Sequence, residues 1–378
     1  MEVPQLVDKF RNSPYLIGMG AGKLSKRFKC KKEDIYEARK LIKDGIDIAT
    51  KKESKTNGRI KSRWQNAAGV WLESYKFDKA EEDVLDIEEI LSKIDFSDIP
   101  EIKIDKINTS DFNINVYLSD QHIGAKVENG LYTNYFDADI YIERMNKVFN
   151  RIAEISLTFN KFKSINIYFL GDTFDGQDGY TVKRTHQLPQ NMSNNEAFEL
   201  ALDVNMKFID KLATSGITSN INIYCVSDSN HGGSMDYYLF KSLQQIIKYK
   251  YPDIDFKIAN KFIDYVKIGK HTFLYTHGKD GKDMKFGLPL YLNDKIENFI
   301  NQYIDNYNID TEYIHFVKGD LHQNSISPGK KFSYRNVPSL FGSSGWIMKN
   351  YGNTKPGVAY DLFTNENEDI NSGVITFK

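Results

Sequence analysis

From residue 111 onward, short apolar runs recur with the length and composition of strands. They are "INVYL" (114–118), "INIYFL" (165–170), "INIYCV" (221–226), "FLYT" (273–276) and "YIHFV" (313–317). Longer stretches with helical spacing lie between several of them: "DIYIERMNKVFNRIAEI" (139–155) and "NEAFELALDVNMKFIDKLA" (195–213). The alternation predicts an α/β body whose strands are largely buried on both faces.

Before residue 111 the pattern is different. Leu24 and Phe28 stand four apart, which predicts a short helix over 23–28. A tight "KCKK" turn follows, and Ile35, Ala38, Leu41 and Ile42 then share one face of a second helix, Lys32–Lys43, with Gly45 as its stop. Two short helices joined by a brief turn resemble the helix-turn-helix modules of DNA-binding proteins. Residues 50–64 show no apolar period and read as a linker that is also able to touch nucleic acid. Residues 79–94 read as an acidic amphipathic helix. The expected organisation is a helix-turn-helix-like module over 1–50, a basic then acidic connector over 51–110, and the α/β body over 111–378.

Charge sharpens this division. The net charge is −1, but residues 1–70 hold 17 Lys and Arg against 8 Asp and Glu, and residues 71–110 hold 5 against 12. A basic head is what a polyanion binder needs, because phosphate neutralisation supplies most nonspecific affinity. Lys23, Lys26, Arg27, Lys31 and Lys32 are the expected DNA contacts. Apolar residues make up 40% of the chain, yet no run approaches 18, so no membrane helix and no membrane partner are expected. The first residues lack the charged and apolar regions of a signal peptide. Cys30 and Cys225 are far apart, which argues against a disulfide framework and for a cytoplasmic setting. Cys225, inside an apolar run, reads as a small buried hydrophobe.

The candidate chemistry lies just after each strand run. The first is followed by Asp120 and His122, the second by Asp172 and Asp175, the third by Asn230 and His231, the fourth by His277, and the fifth by Asp320 and His322. Ligand sites in α/β folds lie at the carboxyl ends of strands. Asp, His and Asn form a mixed oxygen and imidazole set without thiolate, suited to Mn²⁺, Fe or Zn²⁺. So many ligands exceed what one tetrahedral ion needs. A pair of ions about 3.5–4 Å apart, sharing a carboxylate, uses them all and is able to clamp a phosphoryl group.

The order D-x-H, G-D-x-x-D, N-H, H-G, G-x-x-H over residues 111–378 resembles the calcineurin-like metallophosphoesterases. The stretch "YTHGKDGKDMKFGLPL" further resembles phage-encoded members described as DNA repair exonucleases. The resemblance implies a four-layer α/β/β/α sandwich, here joined to a small all-α head. It also implies two divalent ions, most readily Mn²⁺, with Mg²⁺, Fe or Zn²⁺ as alternatives. Asp120, His122 and His322 would bind the first ion, Asp172 would bridge both, and Asn230 and His277 would bind the second. His231 would stand beside the phosphate and protonate the leaving oxygen, oriented by Asp175. Two departures stand out. "SNHGG" replaces the usual G-N-H-[DE], and "GDLH" replaces G-H-x-H, so Asp320 takes a histidine's place at the second ion and hardens it toward Mn²⁺ or Mg²⁺.

Other residues carry less. Lys183, Arg184 and His186 come after the second motif and are placed to reach a phosphate backbone. His271 and His315 read as structural. "GMGAG" (18–22) comes after no strand and lacks the G-K-[ST] ending of a nucleotide loop. The leading expectation is a DNA nuclease that hydrolyses phosphodiesters with water activated on two ions, in the cytoplasm of a bacterial host if phage-encoded; a homodimer is compatible with the resemblance. A phosphatase or phosphodiesterase acting on a small nucleotide or phosphoprotein is the first alternative. A DNA-binding protein with a degenerate metal site is the second.

Overall fold

The computed structural model describes residues 3–11, 21–43, 58–65, 71–77, 101–128, 135–184, 187–281, 284, 286–352 and 354–377. The chain divides into two compact units, Met1–Asp86 and Ile87–Lys378.

The first unit holds α1 (Val3–Arg11), α2 (Ala21–Phe28) and α3 (Lys32–Lys43), then the strands β1 (Gly58–Gln65) and β2 (Trp71–Phe77). Leu6, Val7 and Phe10 of α1 bury against Ala21 and Leu24 of α2 and Ile35 and Ala38 of α3. The two expected helices are there, and α1 completes their core. Asp34 starts α3 by accepting from the Lys31 main-chain N–H (2.9 Å).

The described elements of 1–50 are all helices, but the stretch read as a linker, 50–64, holds a strand from Gly58 on. β1 and β2 pair antiparallel from Gly58↔Phe77 to Gln65↔Trp71. A two-stranded ribbon needs cross-strand partners rather than a continuous apolar run, so the charged residues of "GRIKSRWQ" concealed it. The acidic helix expected over 79–94 lies outside the described residues.

The second unit contains β3 (Phe112–Leu118), α4 (Ala138–Thr158), β4 (Ser164–Phe169), α5 (Asn194–Thr214), β5 (Ile221–Val226), α6 (Ser234–Lys250), β6 (Asp255–Ala259), β7 (Asp264–Ile268), β8 (His271–Thr276), α7 (Asp294–Asn306), β9 (Tyr313–Lys318), β10 (Ser325–Pro328), β11 (Ser333–Asn336), α8 (Gly345–Tyr351), β12 (Gly357–Thr364) and β13 (Ile370–Thr376). The strands form a six-stranded sheet, β13-β12-β3-β4-β5-β6, and a five-stranded sheet, β10-β11-β9-β8-β7. All five expected strands are present, with ends within two residues of the apolar runs. Capping sets the helix starts: Ser193 and Glu196 form a capping box at α5.

The layering comes from strand alternation. The run Ile-Asn-(Val/Ile)-Tyr occurs in β3, β4 and β5, and the register aligns Asn115 with Asn166 and Asn222, and Tyr117 with Tyr168 and Tyr224. The aliphatic positions face α4, α5 and α6, whose Val148, Ile152, Phe208 and Leu239 share their core. The tyrosines face the other way and pack with Phe273, Tyr275 and Val317 of the second sheet. The asparagines form a ladder, Asn222 donating to Asn166 (2.8 Å) and Asn166 to Asn115 (2.9 Å), which satisfies amides that burial would otherwise penalise. A third core joins Leu274, Phe316 and Tyr334 to Ile300 and Ile304 of α7. Three cores separate four layers, α/β/β/α.

Candidate metal centre

β3, β4 and β5 run parallel, so their carboxyl ends lie along one edge. The loops after β3 and β4 continue side by side: His122 N–H donates to the Asp172 carbonyl (3.1 Å), Ile123 N–H to Thr173 (2.8 Å), and Asp175 N–H back to Ile123 (3.1 Å). This pairing brings D-x-H and G-D-x-x-D together. Gly171 makes the turn possible. Its φ is +87°, and a Cβ there would press on the His277 ring and Ser229 at 3.0 Å. Asp120, His122, Asp172, Asp320 and His322 themselves have φ between 47° and 73°, a left-handed conformation that costs non-glycine residues on the order of 1 kcal/mol each.

Three donor groups result. Asp120, His122 and His322 form the first, Asp120, Asp172 and His277 the second, and His122, Asp175 and His231 a third; in each, the donor atoms lie within 4.8 Å of one another. In the first, His322 Nε2 is 3.2 Å from His122 Nε2 and 3.2 Å from Asp120 Oδ1. In the second, His277 Nε2 is 3.1 Å from Asp172 Oδ2 and 3.0 Å from Asn230 Oδ1.

These residues fit a divalent cation. Each imidazole has its Nδ1 on an acceptor: His122 on the Asp175 carboxylate (3.0 Å), His277 on the Leu170 carbonyl (2.8 Å), His322 on the Gly342 carbonyl (2.6 Å). Nδ1 therefore carries the proton, and a neutral ring turns its Nε2 lone pair inward. Two such lone pairs facing each other beside a carboxylate need a positive charge between them. Asp120 Oδ1 has no hydrogen-bond partner, although it is fully buried.

The titration shifts describe the same deficit. Burial would raise the Asp120 carboxyl, but the His322 and His277 imidazoles overrule it and hold it well below its ordinary value. Asp172 is likewise held low by His277 and His231 against burial. Burial works against a charged His277, yet Asp172, Asp120 and Asp320 lift it to about 10. Without a metal, protons balance this cluster.

No protein-family model matches this chain, and no curated protein matches it. Among solved structures, it is similar to a hypothetical protein from Pyrococcus horikoshii, at 10% identity and a TM-score of 0.35, over 70% of this chain and 89% of that one. It is also similar to a novel archaeal phosphodiesterase (12%, TM-score 0.32, 69% and 99%). Vacuolar protein sorting 29 from Cryptosporidium parvum is a third such structure (12%, TM-score 0.32, 70% and 98%). At these TM-scores the likeness decides nothing about the chemistry of this chain.

The remaining site residues take distinct places. Asp175 serves two imidazoles differently: its carboxylate holds His122, while its main-chain carbonyl accepts from His231 Nδ1 at 2.6 Å, and its Oδ1 stands 3.9 Å from that nitrogen. His231 is the most open histidine of the cluster, its side chain 21% exposed. Asp120 belongs to the groups of both His322 and His277, and Asp172 to that of His277. Asp172 Oδ1 also accepts from the His231 main-chain N–H (2.9 Å). Asp320 stands at the margin, its Oδ1 4.0 Å from His277 Nε2, and its N–H reaches Asp120 Oδ2 at 3.3 Å.

Lys183 donates to the Met284 carbonyl (2.7 Å), and Arg184 pairs with Asp178 (3.6 Å). His186 lies outside the described residues. Lys23, Lys26, Arg27, Lys31 and Lys32 are all exposed on α2, α3 and the turn between them, and Glu33 and Glu37 are exposed on α3 as well. His271 and His315 pair with each other (3.1 Å), and His271 begins β8, the strand that ends one residue before His277.

Sequence reasoning missed the residues that brace the centre. Ser119 hydrogen-bonds Asp120 Oδ2. The buried Lys318 donates to the Gly319 carbonyl (3.0 Å) and to Asn336 (2.5 Å), and burial lowers its ammonium to about 8. No local motif marks either. Among the described residues no helix is long and apolar enough to cross a membrane.

Proposed function

We propose that the chain is a calcineurin-like metallophosphoesterase that hydrolyses phosphodiester bonds in DNA. The observation that carries the metal-dependent reading is the convergence of three inward-turned Nε2 atoms on Asp120 and Asp172 at the carboxyl ends of parallel strands. Asp120, His122 and His322 would hold one divalent ion, and Asp172, Asn230 and His277 a second, with Asp320 at its edge. Bound there, such ions polarise a phosphoryl group and lower the pKa of a water at neutral pH.

The chain's own residues supply the rest. His231 has Nδ1 committed to the Asp175 carbonyl, so Nε2 is the nitrogen left to face the substrate, and as an imidazolium, protonated on both nitrogens, the ring would give its Nε2 proton to the departing oxygen. The Asp172 carboxylate, through the His231 main-chain N–H, holds that loop against the centre. The exposed lysines and Arg27 of α2, α3 and their turn favour DNA as the polyanion, in the manner of a helix-turn-helix.

The test is digestion of end-labelled single- and double-stranded DNA with Mn²⁺. Asp172→Asn and His322→Ala are expected to lower the rate by at least about a hundredfold while DNA retention in a mobility shift persists. Full activity in either purified variant would sink the reading. Hydrolysis of a small phosphoester, with DNA left intact, would move the substrate to a small nucleotide or phosphoprotein.

A further inference from the structure

We propose that Arg144 is a positioning residue for the Asp120, His122 and His322 pocket, acting through the segment 339–342; this rests on the metal-dependent reading above. Arg144 stands on α4 and is 3% exposed. Burying a guanidinium is costly unless its donors are satisfied. Arg144 spends them on main-chain carbonyls: Nη1 donates to Leu340 (2.7 Å) and Phe341 (2.7 Å), and Nη2 to Tyr135 (3.3 Å). Its guanidinium carbon also lies 5.3 Å from the centre of the Phe136 ring and 5.5 Å from that of Phe377.

The clamped segment touches each ligand of that pocket. Leu340 N–H donates to the Ser119 carbonyl (3.1 Å), and Phe341 N–H to that of Asp120 (3.1 Å). Ser339 Oγ donates to the same Asp120 carbonyl (2.8 Å) and accepts from Gly342 N–H (3.0 Å). The Gly342 carbonyl accepts a hydrogen bond from His322 Nδ1–H (2.6 Å) and thereby sets that ring's tautomer. The Phe341 ring packs against both His122 (5.0 Å) and His322 (5.9 Å).

Asp120, His122 and His322 all hold left-handed backbone, a conformation that persists only when its surroundings over-determine it. Arg144 supplies that restraint through Leu340, 196 residues further along the chain. None of these segment contacts reaches His277, Asn230 or Asp172, so the second donor group shares only Asp120 with the segment and depends on it less than the first. A lysine keeps the charge but lacks the planar fork that serves two carbonyls at once.

The test is calorimetric titration of the metal-free full chain with Mn²⁺, beside thermal melting of the same metal-free protein. Wild type is expected to bind two ions. Arg144→Met is expected to weaken one step by about tenfold and the other by clearly less, since the two pockets have only Asp120 in common. Arg144→Lys should lose less, and Ser339→Ala should weaken the same step. Unchanged affinity at both steps in folded Arg144→Met overturns the proposal, as does equal weakening of both, which would mean general loosening. If Arg144→Met does not fold, unchanged affinity in both Arg144→Lys and Ser339→Ala overturns it. A wild-type chain that binds no Mn²⁺ overturns the metal-dependent reading itself, and this proposal with it.

Discussion

The buried histidines do two kinds of work, and what faces each imidazole decides which. His122, His277 and His322 put one nitrogen on an acceptor and turn the other toward carboxylates, so each is held ready for a cation. With no metal, protons fill that role, as the raised values of His277 and His322 require. Metal and protons therefore compete. Mn²⁺ binding is expected to release protons at pH 7 and to weaken by about tenfold or more between pH 8 and pH 6. Calorimetric titration in two buffers of different ionisation enthalpy checks this; an uptake unchanged across that range would refute it. The same competition explains why Asp120, though buried, stays ionised.

At the scale of elements, β8 and β9 carry a second histidine pair with the opposite character. His315 packs between His271 and Phe273, its Nδ1 against Ser333 Oγ (3.0 Å). Burial, then the neighbouring His271, push it down to about 4, with Asp361 opposing. The folded strand pair thus prefers a neutral ring, while the unfolded chain protonates near 6.5. Its contribution is complete above about pH 6.5 and is lost as pH falls toward 4, by up to about 3 kcal/mol. Urea unfolding at pH 7.5 and pH 4.5 is expected to show a steep loss in wild type and a shallower one in His315→Gln. Equal slopes would remove the pair from the acid response. The Asn115–Asn166–Asn222 ladder is the polar counterpart across β3, β4 and β5, neutral at every pH.

At the scale of the molecule, the donor groups and their braces lie wholly within Ile87–Lys378. A fragment of residues 87–378 is expected to keep metal-dependent hydrolysis of a small model phosphodiester and to lose most of its DNA affinity. Mn²⁺ at about 100 times its dissociation constant should stabilise that fragment by about 2.7 kcal/mol per site. Melting with Mn²⁺ and with chelator, together with rates on the model ester, tests both halves. A fragment that melts identically in both would place the metal elsewhere.

Local pattern was enough for the elements of the body and for the order of the candidate ligands. Apolar runs at 114–118, 165–170, 221–226, 273–276 and 313–317 became strands because alternation and β-branched or aromatic content are local properties. Residues such as Asp120 and Asp172 were legible as candidates because parallel strands bring the loops at their carboxyl ends to one edge. Which oxygen meets which nitrogen was settled by tertiary packing. Packing gave Asp175's carboxylate to His122 and its carbonyl to His231, and it set Asp120 within reach of both His322 and His277. It also placed Arg144 on Leu340 and turned "GRIKSRWQ" into one strand of an antiparallel pair. These outcomes depend on register and on contacts between residues far apart in the chain. No periodicity within a short window encodes them, because the partner that satisfies a buried donor is chosen by packing rather than by its neighbours in sequence.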